Sequence, residues 1–213
     1  MKLIKPKPVA TALAAFALLA CSSWAAAQTQ TQREARGDPD RGREQGLTCL
    51  GCHGIEGYRN AYPSYRVPKL GGQKAAYVQA ALQAYRDGTR PHPTMQAQGS
   101  SLSDEDIADI AAWLEQAGTA ADEVDAQTAG LPEAAVACVA CHGTAGANIT
   151  PAPPVLSGQY QDYLVHALGQ YREQARGMSV MNSFAAGLTE EQVEQVTAFY
   201  SSREGLDTLD QEQ

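Results

Sequence analysis

The chain has 213 residues, 44% of them hydrophobic and 19% charged, with 24 acidic against 16 basic side chains and a formal net charge of −8. That length allows two small domains and falls short of a large enzyme core. The acidic balance excludes nucleic acid as an expected partner, because phosphate backbones are bound through surplus lysine and arginine.

Lys2, Lys5 and Lys7 precede an apolar run over residues 9–20, and Ala25, Ala26 and Ala27 then offer a small-residue cleavage site before Gln28. This is the pattern of an export signal over residues 1–27, so the expected location is the periplasm. The run is too short to span a bilayer. Leu18, Leu19, Ala20 and Cys21 also resemble a lipoprotein signal with Cys21 as the lipidated residue. Leu19 is unusual at its position, and cleavage after Ala27 would discard Cys21. Ordinary cleavage is the expectation, with membrane association through partners or, alternatively, through a lipid anchor at Cys21.

Beyond the signal, every periodic segment reads as helix and none alternates like a strand. Asp38 followed by Pro39 predicts a capped helix leading into Cys49-Leu50-Gly51-Cys52-His53. An amphipathic segment over residues 76–85 carries Tyr77, Ala81, Leu82 and Tyr85 near one face. Met95 follows in a proline-rich stretch read as an irregular loop. Ser103 with Asp106 then forms a predicted capping box, opening a helix with Ile107, Ile110, Ala111 and Leu114 on one stripe. Pro132 and Glu133 start a second run into Cys138-Val139-Ala140-Cys141-His142. Thr189 with Gln192 opens a last helix carrying Val193, Val196 and Tyr200.

The two C-x-x-C-H strings are the strongest chemical signal. Two thiols one helical turn apart can add to the two vinyl groups of one haem while the adjacent histidine reaches the iron. A structural zinc or a dithiol redox pair would use the same residue types. A zinc site would have to pool ligands from two motifs that each sit inside their own repeat, and a thioredoxin-type pair belongs beside a strand-helix-strand pattern that is missing here.

The chain is an internal repeat. An offset of 86 superposes the segment from Pro68 to Gln73 on that from Pro154 to Gln159, Tyr77 on Tyr163, Tyr85 on Tyr171, Arg86 on Arg172, Met95 on Met181, and Leu102-Ser103-Asp104 on Leu188-Thr189-Glu190. The expected organisation is therefore a signal at 1–27, a first domain at 28–118, a connection at 119–131 and a second domain at 132–213.

The order C-x-x-C-H-G, Pro-x-Leu-x-Gly-Gln, a tyrosine-bearing helix, a methionine and a Leu-Ser/Thr-Asp/Glu helix resembles the class I c-type cytochromes, and its duplication is similar to the cytochrome c4 family. The resemblance implies an all-α protein of two tandem class I cytochrome c domains, with two haem c groups attached through Cys49, Cys52, Cys138 and Cys141. It implies His53 and His142 as proximal iron ligands. A thioether is the usual second ligand of such a haem, because it is soft and favours ferrous iron. Met95 and Met181, each seven residues before the leucine of the capped helix, are the matched candidates. Met178 aligns instead with His92, an imidazole that could compete for iron. The family further implies that Pro68 and Pro154 offer carbonyl oxygens to the histidines.

Partners implied by the family are redox proteins: a quinol-oxidising complex or a dehydrogenase as donor and a terminal oxidase as acceptor. An alternative is an electron-transfer subunit of a dehydrogenase oxidising sulfide or an alcohol. A catalytic haem is disfavoured, because both repeats keep a methionine. Charge is uneven: residues 28–118 carry 10 basic and 11 acidic side chains, and residues 119–213 carry 3 and 13. Such asymmetry orients a molecule approaching a charged partner, and the C-terminal half is expected to face a basic surface.

Overall fold

The computed structural model describes residues 37–118, 130–142, 153–177 and 179–210, within a compact unit spanning Gly37–Gln213. The expected signal, Cys21, Met178 and residues 119–129 of the expected connection lie outside the described residues. Nine α-helices and no strand occur among those described.

In the first half, α1 (Pro39–Gln45) starts where expected, with the Asp38 carboxylate accepting from the backbone N–H groups of Asp40 and Arg41. A 3₁₀ turn, Gly46–Cys49, runs directly into α2 (Leu50–His53). Then come α3 (Ala75–Arg86), α4 (Pro93–Gly99) and α5 (Asp104–Gln116). The second half repeats the order: a 3₁₀ turn, Glu133–Ala135, continues as α6 (Val136–His142), followed by α7 (Gln161–Arg172), α8 (Ser179–Ala186) and α9 (Glu190–Ser201). Both expected capping boxes form, Ser103 with Asp106 at α5 and Thr189 with Gln192 at α9. Each satisfies two otherwise unpaired backbone donors at a helix start.

The cores of the halves correspond residue by residue. Val78, Ile110, Trp113 and Leu114 are buried together in the first, and their equivalents Leu164, Val196, Phe199 and Tyr200 are buried together in the second. Each pair differs in volume, and at one of them the compensating change is visible. A Cβ on Gly46 would lie 2.3 Å from the Trp113 ring, so the larger ring needs a glycine beneath it. In the second half the ring is the smaller Phe199, and its cluster includes a fully buried Ala135, which stands three residues before Cys138 as Gly46 stands three before Cys49. Packing at near-crystalline density requires such compensation.

The C-terminal tail binds both halves. Leu206 donates its N–H to the Ser157 carbonyl, while Asp207 exchanges two backbone hydrogen bonds of 3.0 Å with Gly71. Leu209 is then buried in the core of the first half.

Candidate functional site

Each C-x-x-C-H string closes a helix and delivers its histidine to the interior. Cys49 ends the 3₁₀ turn and Cys52 and His53 fall on α2, whereas Cys138, Cys141 and His142 all lie on α6. All four cysteines are half-buried free thiols. Burial pushes the Cys49 and Cys138 thiols up, so neither is the acidified nucleophile that a dithiol redox pair requires. No cluster of three or more His, Cys, Asp or Glu side chains suited to a metal ion occurs among the described residues.

His53 and His142 are 9% and 6% exposed. The Nδ1 of His53 lies 2.7 Å from the Pro68 carbonyl oxygen, and that of His142 lies 3.1 Å from Pro154. A carbonyl can only accept, so Nδ1 carries the proton and Nε2 is the nitrogen with a lone pair for a metal. Burial holds both imidazoles below their ordinary pKa, against the pull of the proline carbonyls, which favours the neutral form that binds metals. Paired thiols beside a neutral, oriented imidazole fit a covalently attached haem.

Met95 and Met181 differ from expectation in their surroundings. Neither sits in an irregular loop: Met95 lies in the first turn of α4, and Met181 lies in α8. The reason in the first half is His92, whose Nδ1 accepts the Met95 backbone N–H at 3.2 Å and caps the helix, with Pro93 in the first turn. The imidazole that could have competed for iron thus has one ring nitrogen engaged as a cap. Both methionines are partly buried.

Sequence reasoning passed over the seam between the halves. Arg90, only 7% exposed, donates to the hydroxyls of Tyr77 (3.4 Å) and Tyr163 (3.0 Å) and lies over the Tyr85 ring. Its repeat equivalent, the equally buried Arg176, donates to Tyr77 at 2.6 Å and lies over Tyr171. Burial alone would raise the Tyr77 phenol, but the two guanidiniums bring it below its ordinary value. The seam thus holds two buried cations among phenols. The available signal was that Arg90 and Arg176 fall at the same 86-residue offset as the tyrosines. His166 packs on Tyr65 across the seam, with ring centroids 4.1 Å apart.

Comparison with known proteins agrees with this architecture. The cytochrome c family model matches residues 40–118 and, a second time, residues 133–203. Fold and site therefore define a tandem cytochrome c, two all-helical domains repeated in one chain. The sequence is 31% identical over 180 residues to cytochrome c4 of Pseudomonas aeruginosa, covering 78% of this chain and 88% of that protein. It is 30% identical over 176 residues to the thiosulfate dehydrogenase electron acceptor of Stutzerimonas stutzeri, covering 73% and 79%. The structure superposes on that of reduced recombinant cytochrome c4 from Pseudomonas stutzeri with a TM-score of 0.63 at 26% identity, covering 79% of this chain and 100% of that one. The chain belongs to the cytochrome c4 family, whose members are electron-transfer cytochromes with covalently bound haem c.

Proposed function

We propose that this is a periplasmic dihaem electron carrier that passes electrons between respiratory-chain partners, towards a terminal oxidase, and that it is not itself an enzyme. Cys49 and Cys52 hold the first haem and Cys138 and Cys141 the second. His53 and His142 would ligate the irons through Nε2, and Met95 and Met181 would supply the second ligands. Each haem supplies a one-electron iron couple. The chain fixes the ligands on short helices and buries the histidines, so that a change of oxidation state needs little rearrangement. Pro68 and Pro154 hold the imidazoles in one tautomer. The observation that carries this reading is the duplicated pair of buried histidines on proline carbonyls, with a methionine at the equivalent position in each half. No helix among the described residues is long and apolar enough to cross a membrane. The export signal supports the periplasm, with Cys21 discarded.

The test is to express the chain with a haem-ligation system, count haems per polypeptide and record the oxidised spectrum. Two haems with the long-wavelength sulfur-to-iron charge-transfer band at two-site intensity are expected. Half that intensity, or a high-spin component, would remove Met95 or Met181 from the ligand set. In Met181→Ala the potential of the second haem should fall and its iron should take up exogenous ligands.

A second reading is favoured by the relative described as a thiosulfate dehydrogenase electron acceptor. Under it the donor is a dehydrogenase of a small sulfur anion rather than a quinol-oxidising complex. Reduction of the loaded protein by each donor, compared at equal concentration, separates the two.

A further inference from the structure

Two glutamines cross the seam in opposite directions. Gln73 and Gln159 are repeat equivalents, and each is only 3% exposed. The Gln73 Oε1 accepts the Val155 N–H at 2.8 Å while its Nε2 donates to the Val155 carbonyl at 3.1 Å. The Gln159 Oε1 accepts the Lys69 N–H at 3.0 Å while its Nε2 donates to the Lys69 carbonyl, also at 3.0 Å. Each Oε1 takes a second N–H from the residue that follows its own glutamine, Lys74 or Tyr160, which fixes the amide orientation.

Val155 and Lys69 directly follow Pro154 and Pro68. The N–H that each glutamine holds therefore belongs to the same peptide group as the carbonyl that accepts a histidine. In one direction the path runs from the Gln73 carbonyl, through the peptide joining Pro154 to Val155, to the Nδ1–H of His142. In the other it runs from the Gln159 carbonyl, through the peptide joining Pro68 to Lys69, to the Nδ1–H of His53. A peptide whose N–H is hydrogen-bonded carries more negative charge on its oxygen, and bonds in such chains strengthen one another by roughly 10–30% each. A stronger acceptor on Nδ1–H makes the imidazole a better electron donor through Nε2, which favours ferric iron.

We propose that Gln73 and Gln159 are positioning residues that each tune the histidine of the opposite half, so that the haem potential of one domain is set in part by a side chain of the other. This rests on the reading of His53 and His142 as iron ligands. Its consequence is that the two potentials are coupled through the seam: parting the halves withdraws both glutamines and raises both potentials, whereas replacing one glutamine raises only that of the opposite half.

The experiment is a potentiometric titration of the loaded, full-length protein and of Gln73→Met and Gln159→Met, with each haem assigned from its own NMR methyl resonances. Methionine fills nearly the same volume without either hydrogen bond. Gln73→Met should raise the potential of the haem attached at Cys138 and Cys141, and Gln159→Met that of the haem at Cys49 and Cys52. Gln73→Glu and Gln159→Glu, which keep the accepting oxygen, should leave the potentials at or below those of the unsubstituted protein, an outcome that mere loosening of the seam would not give. Should methionine prevent folding, Gln73→Asn and Gln159→Asn draw the amide back by one methylene and should give the same upward, crossed shift. A shift confined to the haem of the substituted half, an equal shift of both haems, or no shift overturns the proposal. The ligand reading fails separately, if the unsubstituted protein lacks the low-spin His/Met spectrum.

Discussion

Among the described residues, the first half of the chain is tied together by contacts that do not recur at the equivalent positions of the second. Asp109, in the middle of α5, is 1% exposed, and its carboxylate accepts from the Asp38 N–H at 2.6 Å and from Arg41 at 2.8 and 3.2 Å. The ion pair clamps α1 onto α5 at a crossing so close that a Cβ on Gly42 would meet the Asp109 carbonyl oxygen. The equivalent of Asp109 is Gln195, which is exposed and donates to Glu191 on its own helix. The first half also takes Leu209 from the far end of the chain. Around the two histidines, by contrast, the halves match: proline carbonyl, clamping glutamine, buried arginine and capped last helix recur in both. Duplication has kept the partners of the two histidines, while these particular scaffold contacts have diverged.

The largest test of that asymmetry is Leu209→Ala. Truncating a fully buried leucine costs about 2–5 kcal/mol, depending on how far the cavity collapses. The loss should fall on the first half, some ninety residues earlier in sequence than the substitution. Hydrogen exchange read amide by amide should show α5 losing protection before α9; faster exchange confined to α9 would mean that the tail serves its own half.

Asp109→Ala comes next. It leaves the part-buried Asp38 N–H without its charged acceptor, while Arg41, half-exposed, keeps its ion pair with Glu105 at 2.9 Å, so the expected cost is about 2 kcal/mol and comes mainly from the orphaned N–H. Gln195→Ala, at the equivalent position, should stay within about 0.5 kcal/mol. Thermal or denaturant unfolding of the pair checks this, and equal effects would remove the ion pair as a source of the difference.

The same residues show what a sequence carries openly. Local signals were legible: both capping boxes, the Asp38-Pro39 start and the apolar stripes of α5 and α9 all formed, because each depends on side chains within a few positions of one another. The proline carbonyls met their histidines within one repeat, 15 and 12 residues along the chain. Contacts between distant segments were not legible. Asp109 reads as a solvated acid on a helix until α1 is laid across it, and Leu209 reads as tail. Gln73 and Gln159 stood in the motif that marked the repeat, but nothing local says that their amides reach the other half. The helical setting of Met95 was missed because histidine is an uncommon cap; His92 before Pro93 was its signal.

The capping boxes separate the halves by pH. In α5 the box uses Asp106, whose carboxylate accepts from the Ser103 N–H at 2.8 Å and from its hydroxyl at 2.7 Å and is held below its ordinary pKa by these bonds. In α9 the same place is taken by Gln192, which does not titrate. A carboxyl group with a depressed native pKa binds more protons unfolded than folded. Its contribution is therefore complete above the ordinary carboxylate value and is lost as the pH falls through the lower, native one. Ser103→Ala and Thr189→Ala should each cost about 1 kcal/mol near neutral pH. On acidification the cost of Ser103→Ala should shrink and that of Thr189→Ala should persist. Parallel pH profiles for the two variants would show that Asp106 adds nothing through its charge.

The smallest effect concerns one turn that the two halves build with different residues. After α3 the chain passes through Gly88 at φ 74°, and after α7 the equivalent Gln174 takes φ 56°. A side chain in this left-handed region costs roughly 1–2 kcal/mol, and a glycine there gives back about 0.5–1 kcal/mol through its freer unfolded chain. Gln174→Gly should therefore stabilise the second half by about 0.5 kcal/mol. Gly88→Gln should weaken the first by a similar amount, since a Cβ there meets only the end of the flexible Gln96 side chain at 3.1 Å. The sign is the informative quantity in denaturant unfolding. If Gln174→Gly destabilised, the glutamine side chain would have to be holding the turn by a contact stronger than the strain it bears, and the divergence of the two turns would reflect a gain in the second half rather than a tolerated cost.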